Sequence, residues 1–306
     1  MNSEKNIEKA KIIIICGQSN AAGVARHSYL EKTVGKERKE KLEKGFENIR
    51  IAYHCGGLGP SEEPFRQIPD RGSANVSNGF EKLSFSCGSH RNKEFFGPEL
   101  GIAEYLSERF PEEEFYIVKH SYGGSTIGDY LPDDPLANFV GDEVEDKRDI
   151  IALDSYGELR ELFDDSVKDI ETEKGKSCQV VAICWMQGEA EGGCGAHFAS
   201  TYKRREETLI NNFRRDYKAY APENGIAFIS AGINDSGVWP SHEVINNAKK
   251  ELAEECAVNY FIDTAAEGLS CLGEPVEGPD IYHYDSDSML KLGRLFGEKI
   301  EEYLKQ

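Results

Sequence analysis

Alternation of short apolar runs with longer amphipathic stretches predicts an α/β fold, a parallel sheet with helices on both faces. Two features carry the prediction most strongly. Residues 11–16 read KIIIIC, a β-branched apolar run suited to a strand buried on both faces. Residues 286–304 place Met289, Leu292, Leu295, Phe296, Ile300 and Leu304 at steps of three and four, with Lys and Glu between them, the period of an amphipathic helix.

In chain order the first strand is 11–16, stopped by Gly17. A second is expected at 48–54, inside a long interruption spanning about 28–96 that holds a Gly-rich turn near Cys55 and a polar stretch at 71–88. Long insertions in α/β enzymes commonly build a substrate rim, and the segment is read so here; a mere surface excursion is the plainer alternative. A helix follows at 98–109, opened by Gly97 and Pro98. Strands at 114–120, 179–185, 226–231 and 258–263 then alternate with helices at 149–173, 198–220 and 241–256. The final helix is preceded by Asp285, Ser286, Asp287 and Ser288, all good capping residues.

The 306 residues are 39% hydrophobic, enough for a full core, and the chain is read as one domain over 1–306. Its formal net charge is −19. That field repels phosphate backbones and anionic lipid, so neither nucleic acid nor a membrane is an expected partner. No stretch is long and apolar enough to span a bilayer, and the polar start has no leader-like run, so the cytoplasm is the expected location. The eight cysteines show no C-x-x-C spacing and read as reduced, mostly buried thiols, with no metal site expected.

Parallel strands bring the loops after them to one edge of the sheet. Four such segments carry chemistry: Gly17, Gln18, Ser19 and Asn20; Ser121 to Thr126, with the Gly123, Gly124 pair; Trp185 to Glu189; and Asp280 to His283. Acyl transfer needs a nucleophile, a base, a group that orients the base, and donors for the developing oxyanion. Ser19, His283 and Asp280 supply the first three. The N–H groups of Ser19 and Gly124 and the amide of Gln187 supply the donors. Each segment has a plainer reading alone: Ser19 as a helix cap, the glycine pair as a tight turn, Asp280 and His283 as a self-satisfied loop pair. His27, His54, His90, His120, His197 and His242 compete with His283 as base, His120 and His54 foremost. None has a carboxylate three residues ahead in a loop leading to the last helix. A nucleophile this near the N-terminus, without G-x-S-x-G, argues against an α/β-hydrolase.

Taken together these segments resemble the SGNH hydrolase superfamily, and within it the branch of sialate O-acetylesterases and carbohydrate esterase family six acetylxylan esterases. The matching residues are Gly17 to Asn20, Phe96 to Glu99, Lys119 to Thr126, Trp185 to Glu189 and Asp280 to His283. Five weak motifs in order make a strong set. The resemblance implies a three-layer α/β/α sandwich on a flavodoxin-like sheet, and Ser19, Asp280 and His283 as triad. It also implies an oxyanion hole of Ser19, Gly124 and Gln187. Gln18, Asn20, Gly123 and Glu189 are expected to bind substrate or organise the loops. Ala21, Met186 and His120 depart from the branch's usual residues and put substrate choice in doubt. The expected activity is cofactor-free removal of acetyl groups from a carbohydrate. A short-chain lipase or thioesterase is the alternative, and a non-catalytic carbohydrate-binding protein a more distant one.

Overall fold

The chain's computed structural model describes residues 9–59, 68–69, 74–85, 87–89, 94–133 and 154–306. His90, the start of the expected 149–173 helix and parts of the 71–88 stretch lie outside them. Strand β1 (Lys9–Gly17) is the central strand. Ile12 to Cys16 are each at most 1% exposed, so both faces of the strand are covered, as its unbroken apolar run requires.

Five further strands run parallel to it: β2 (Ile49–Gly56), β3 (Phe115–Tyr122), β4 (Ser177–Met186), β5 (Ala227–Ala231) and β6 (Asn259–Ile262). Their spatial order is β6-β5-β4-β1-β3-β2. This is the flavodoxin order with one strand, β3, inserted between the first two. The sheet is mostly parallel. Within this sheet, among the described residues, only Asn75–Val76 and Glu81–Lys82 pair antiparallel, both on β2, and the charges of the latter pair blunt that edge. The chain leaves β1 towards one side of the sheet and β4 towards the other. The switch point, where such sheets bind ligands beyond the carboxyl ends of their strands, therefore lies between β1 and β4.

The helices are α1 (Ser19–Ala22), α2 (His27–Val34), α3 (Lys36–Lys44), α4 (Pro98–Arg109), α5 (Ser155–Asp169), α6 (Glu189–Gly193), α7 (Ala196–Asp216), α8 (His242–Glu255) and α9 (Ser286–Leu304). One helical layer joins α2 and α4 to α9, and the other joins α7 to α8 with α5 against β3. The stripe on α9 is buried as its period predicts, with Met289, Leu292, Phe296 and Ile300 at 0% exposure. Helices α4 and α9 touch backbone to backbone. A Cβ on Gly101 would come within 2.2 Å of the Leu290 carbonyl oxygen, and one on Gly293 within 2.2 Å of that of Pro98. This contact fixes the start of α9, and with it the loop that precedes α9.

Sequence reading placed the long elements and missed short ones. Helix α3 is KERKEKLEK with only Leu42 buried, so it carries no apolar period to detect. The expected 198–220 helix begins at Ala196 and ends at Asp216, and a single 3₁₀ turn, Lys218–Tyr220, follows it. Strands β3 and β4 run on to Tyr122 and Met186, which brings their ends level with Gly17. Among the described residues no helix is long and apolar enough to cross a membrane.

Candidate active site

The turn after β1 is built around Gly17. Its φ is +138°, and a Cβ there would lie 2.0 Å from the Met186 carbonyl oxygen, so only glycine fits. The close approach lets Gln18 N–H donate to that oxygen at 3.0 Å, locking the ends of β1 and β4 together. The Gln18 side chain strengthens the joint. Its Oε1 accepts from Gln187 Nε2 at 3.2 Å, Ala190 N–H at 3.3 Å and Gly188 N–H at 3.4 Å. Ser19 then opens α1. Its N–H has no acceptor within the helix, and the residue is partly exposed between buried Gln18 and Asn20.

Asn20 brings the far end of the chain to this turn. Its Oδ1 accepts from Tyr284 N–H at 3.1 Å, and its Nδ2 donates to the Tyr282 carbonyl at 3.3 Å and to Glu189 Oε1 at 2.8 Å. These bonds bracket His283, the residue between Tyr282 and Tyr284, and hold it beside the serine turn. His283 Nδ1 lies 2.6 Å from Asp280 Oδ2. Burial raises the Asp280 carboxyl, but the hydrogen bond and charge of His283, with the N–H groups of Tyr282 and His283, outweigh it and hold the group below the usual carboxylate range. An ionised carboxylate only accepts. Nδ1 therefore carries the proton, which leaves Nε2 of the neutral ring as the basic nitrogen.

The third segment sits alongside. Ser121 pairs with Gly17 across β3 and β1. Tyr130, from a 3₁₀ turn at Ile127–Tyr130, wedges against the same residue: its hydroxyl donates to the Gly17 carbonyl at 2.8 Å and accepts from Gly17 N–H at 3.2 Å. In the glycine turn Gly123 N–H donates to the Gly56 carbonyl and Ser125 N–H to that of Tyr122. Neither bond uses the N–H of Gly124.

Gln187 follows the last residue of β4. It is fully buried. Its Nε2 donates to Glu191 Oε2 at 2.5 Å, Gln18 Oε1 at 3.2 Å and the Ser125 carbonyl at 3.4 Å, while its Oε1 accepts from Tyr202 OH at 3.0 Å. Two amide hydrogens already face three acceptors. In this arrangement the side chain buttresses the loops. Glu191 completes the buttress by accepting from Ile127 N–H at 2.8 Å, with buried Arg205 at 3.6 Å. The sequence offered no signal for Glu191, Arg205, Tyr202 or Tyr130. Their partners include residues as far as 113 positions away, which meet only through the topology.

Glu189 is buried, and burial pushes its carboxyl up against the opposing pull of the Asn20 hydrogen bond. Its Oε2 is buried and has no hydrogen-bond partner among the described residues. Lys119 and Glu99 form an ion pair at 2.5 Å with both side chains at most 1% exposed. Lys119 Nζ also donates to the Ala22 carbonyl at 3.0 Å, at the end of α1, so the pair supports the serine turn from below. His120 and His54, the competing bases, stand side by side on β3 and β2 with Glu158, in a cluster that shares no residue with the Asp280–His283 pair. Among the described residues it is the one group of three metal-capable side chains.

A family model described as carbohydrate esterase, sialic acid-specific acetylesterase, matches residues 9–302. No curated protein matches the sequence. Among solved structures, a protein from Arabidopsis thaliana superposes with a TM-score of 0.60 at 16% identity, over 97% of this chain and 99% of that one. NanS gives 0.60 at 17%, over 98% of each chain. A carbohydrate acetylesterase from Xanthomonas citri gives 0.54 at 12%, over 96% of this chain and 56% of that one. At such identities the likeness of structure is one of fold.

Proposed function

Because the chain belongs to the carbohydrate esterase family of sialic acid-specific acetylesterases, and is a carboxylic ester hydrolase, we propose that it removes acetyl groups through an acyl-serine intermediate on Ser19. His283 Nε2 takes the Ser19 proton as Oγ attacks the ester carbonyl. The oxyanion that forms rests on the N–H groups of Ser19 and Gly124. His283 returns the proton to the departing sugar oxygen, leaving acetyl-serine. Water attacks this ester with His283 again as base, releasing acetate. Asp280 holds the ring and stabilises the imidazolium. The observation that carries the reading is the Asn20 clamp, which ties both neighbours of His283 to the residue following Ser19. The family description favours an O-acetylated sialic acid over acetylxylan. Acetate release from a panel of both, with an acyl-chain series on aryl esters, tests this. Preference for long acyl chains would favour the lipase or thioesterase reading instead.

The pH profile follows from the same pair. Asp280 is held below its ordinary range, so it stays ionised as the solution turns mildly acid. Activity is expected to fall on the acid side, where a general base is lost to protonation. A kcat/KM flat from pH 5 to 8, on a substrate without its own titration, would contradict the role of His283.

Tyr282 is 49% exposed and packs its ring 5.7 Å from that of Trp239, beside His283. We assign it as a stacking surface for the sugar. Tyr282→Ala is expected to raise KM roughly 10-fold with kcat little changed, the size of one lost aromatic contact. The chain leaves β2 at Gly56, whose carbonyl accepts from Gly123 N–H. On that footing we propose the described residues of 28–96 beyond β2 as part of the rim of the same cleft; the rest of that stretch lies outside the described residues.

Glu189 serves this scheme by holding Asn20. Glu189→Gln keeps a group able to accept from Asn20 and removes a buried carboxyl that burial already disfavours. It is expected to retain activity within about 10-fold, whereas Glu189→Ala loses more. Equal loss in both variants would make Glu189 a proton-transfer group.

A further inference from the structure

We propose that His54, His120 and Glu158 bind a single Zn²⁺ ion, at a site separate from the esterase triad. The two histidines occupy paired positions on adjacent parallel strands, with ring centroids 5.4 Å apart. Paired positions put both side chains on one face of the sheet, and α5 brings Glu158 onto that face. His120 Nε2 lies 3.1 Å from Glu158 Oε2, and one donor atom from each of the three residues lies within 4.8 Å of the others. Four-coordinate zinc at ~2.0–2.2 Å needs donor atoms roughly 3.3–3.5 Å apart. One pair, at 3.1 Å, lies just inside that spacing, and side-chain movements of order 1 Å bring in the third.

A second observation is independent of this spacing. His120 is fully buried, and its Nδ1 has no hydrogen-bond partner among the described residues. A buried polar atom of that kind is costly to leave unmatched. The protein thus leaves this imidazole incompletely matched and bonded through Nε2 alone; Nε2, the nitrogen that faces Glu158, is the atom the ring offers to the ion. Tyr122 OH, 3.1 Å from His54 Nε2, orients the second imidazole as outer partners of metal-bound histidines do. His54 and Glu158 are partly exposed, which gives the ion a way in. Two imidazoles and a carboxylate, with water as fourth ligand, suit zinc and not calcium or magnesium. Bound there, the ion ties β2, β3 and α5 together. Its role is structural, since the acyl-transfer groups lie in other loops.

Isothermal titration of the full chain, stripped with chelator and kept reduced, reads the binding directly. One equivalent of Zn²⁺ is expected to bind and to raise the melting temperature. Co²⁺ is expected to give the visible absorption of four-coordinate nitrogen and oxygen ligation. His54→Ala and Glu158→Gln, each checked for native circular dichroism, are expected to weaken Zn²⁺ binding at least 10-fold. His120→Ala is avoided because it empties a buried position. Three results would overturn the proposal: no saturable binding by the wild type, unchanged affinity in both variants, or a thiolate charge-transfer band showing that cysteines hold the metal.

Discussion

Ser19→Ala is expected to lower kcat for hydrolysis of an aryl acetate by about 1000-fold or more, with the melting temperature unchanged. The loss corresponds to roughly 4 kcal/mol of transition-state stabilisation at ~1.36 kcal/mol per tenfold. The size follows from the role proposed for the hydroxyl: without it no acyl-enzyme would form, and water would have to attack the bound ester directly. Some acceleration over free solution is expected to survive, because the N–H groups proposed to face the oxyanion belong to the backbone and remain. The fold is spared because Ser19 is only partly buried and the turn is held by its neighbours, Gln18 through β4 and Asn20 through the 282–284 loop. His283→Ala is expected to cost about as much, and the double variant little more, since groups that act as a unit are lost together. Steady-state kinetics and thermal melts on the three variants decide the matter. Activity in Ser19→Ala above about a tenth of wild type would move the nucleophile elsewhere.

Chelator is expected to leave kcat/KM within about 2-fold of its original value at moderate temperature, because the proposed chemistry draws nucleophile, base and acid from side chains. A zinc ion at His54, His120 and Glu158 predicts a lower melting temperature under the same treatment. The two readouts separate a structural metal from a catalytic one. Loss of activity at unchanged melting temperature, restored by zinc, would refute the serine mechanism as written.

The parts of this fold visible in the sequence are those where one local pattern has one physical cause. The isoleucines of β1 are visible because a strand covered on both faces needs no polar alternation. The α9 stripe is visible because one of its faces is buried against α4 and the sheet. Asp280 and His283 are visible because a carboxylate three residues before a histidine in a loop can reach its ring. The rest depended on topology. Gln187 sits in the expected loop, but whether its amide faces substrate or protein is decided by Glu191, Gln18 and Tyr202, and nothing local fixes that choice. His54 and His120 drew attention as rival bases. They proved to be neighbours across two strands, a relation that only the strand order β1-β3-β2 creates. Asn20 was expected to organise or bind; its three bonds to residues 189, 282 and 284 join segments that no local pattern connects.

Breaking the Lys119–Glu99 pair is expected to destabilise the protein by about 3–5 kcal/mol, the usual cost of leaving one buried charge without its partner. The pair joins three elements: Lys119 stands on β3, Glu99 opens α4, and Lys119 also holds the Ala22 carbonyl that ends α1. Glu99 is anchored besides by Gly97 N–H at 2.7 Å. Burial raises the Glu99 carboxyl, and Lys119 draws it back. Lys119→Met removes that restraint, so the folded state holds a proton on Glu99 more tightly than the unfolded chain does. Its destabilisation therefore grows as pH rises above the ordinary carboxylate range. Glu99→Gln leaves a buried ammonium, which the folded state prefers to deprotonate, so its destabilisation eases as pH rises. The two variants thus carry opposite pH slopes. Lys119→Met with Glu99→Leu, which removes both charges, is expected to cost less than the sum of the single changes. Urea midpoints at pH 5.5, 7 and 8.5 measure all three. Slopes of the same sign, or single costs below about 1 kcal/mol, would mean that the two groups are neutral in the native protein. The α1 turn would then be held by burial and backbone contacts, not by charge.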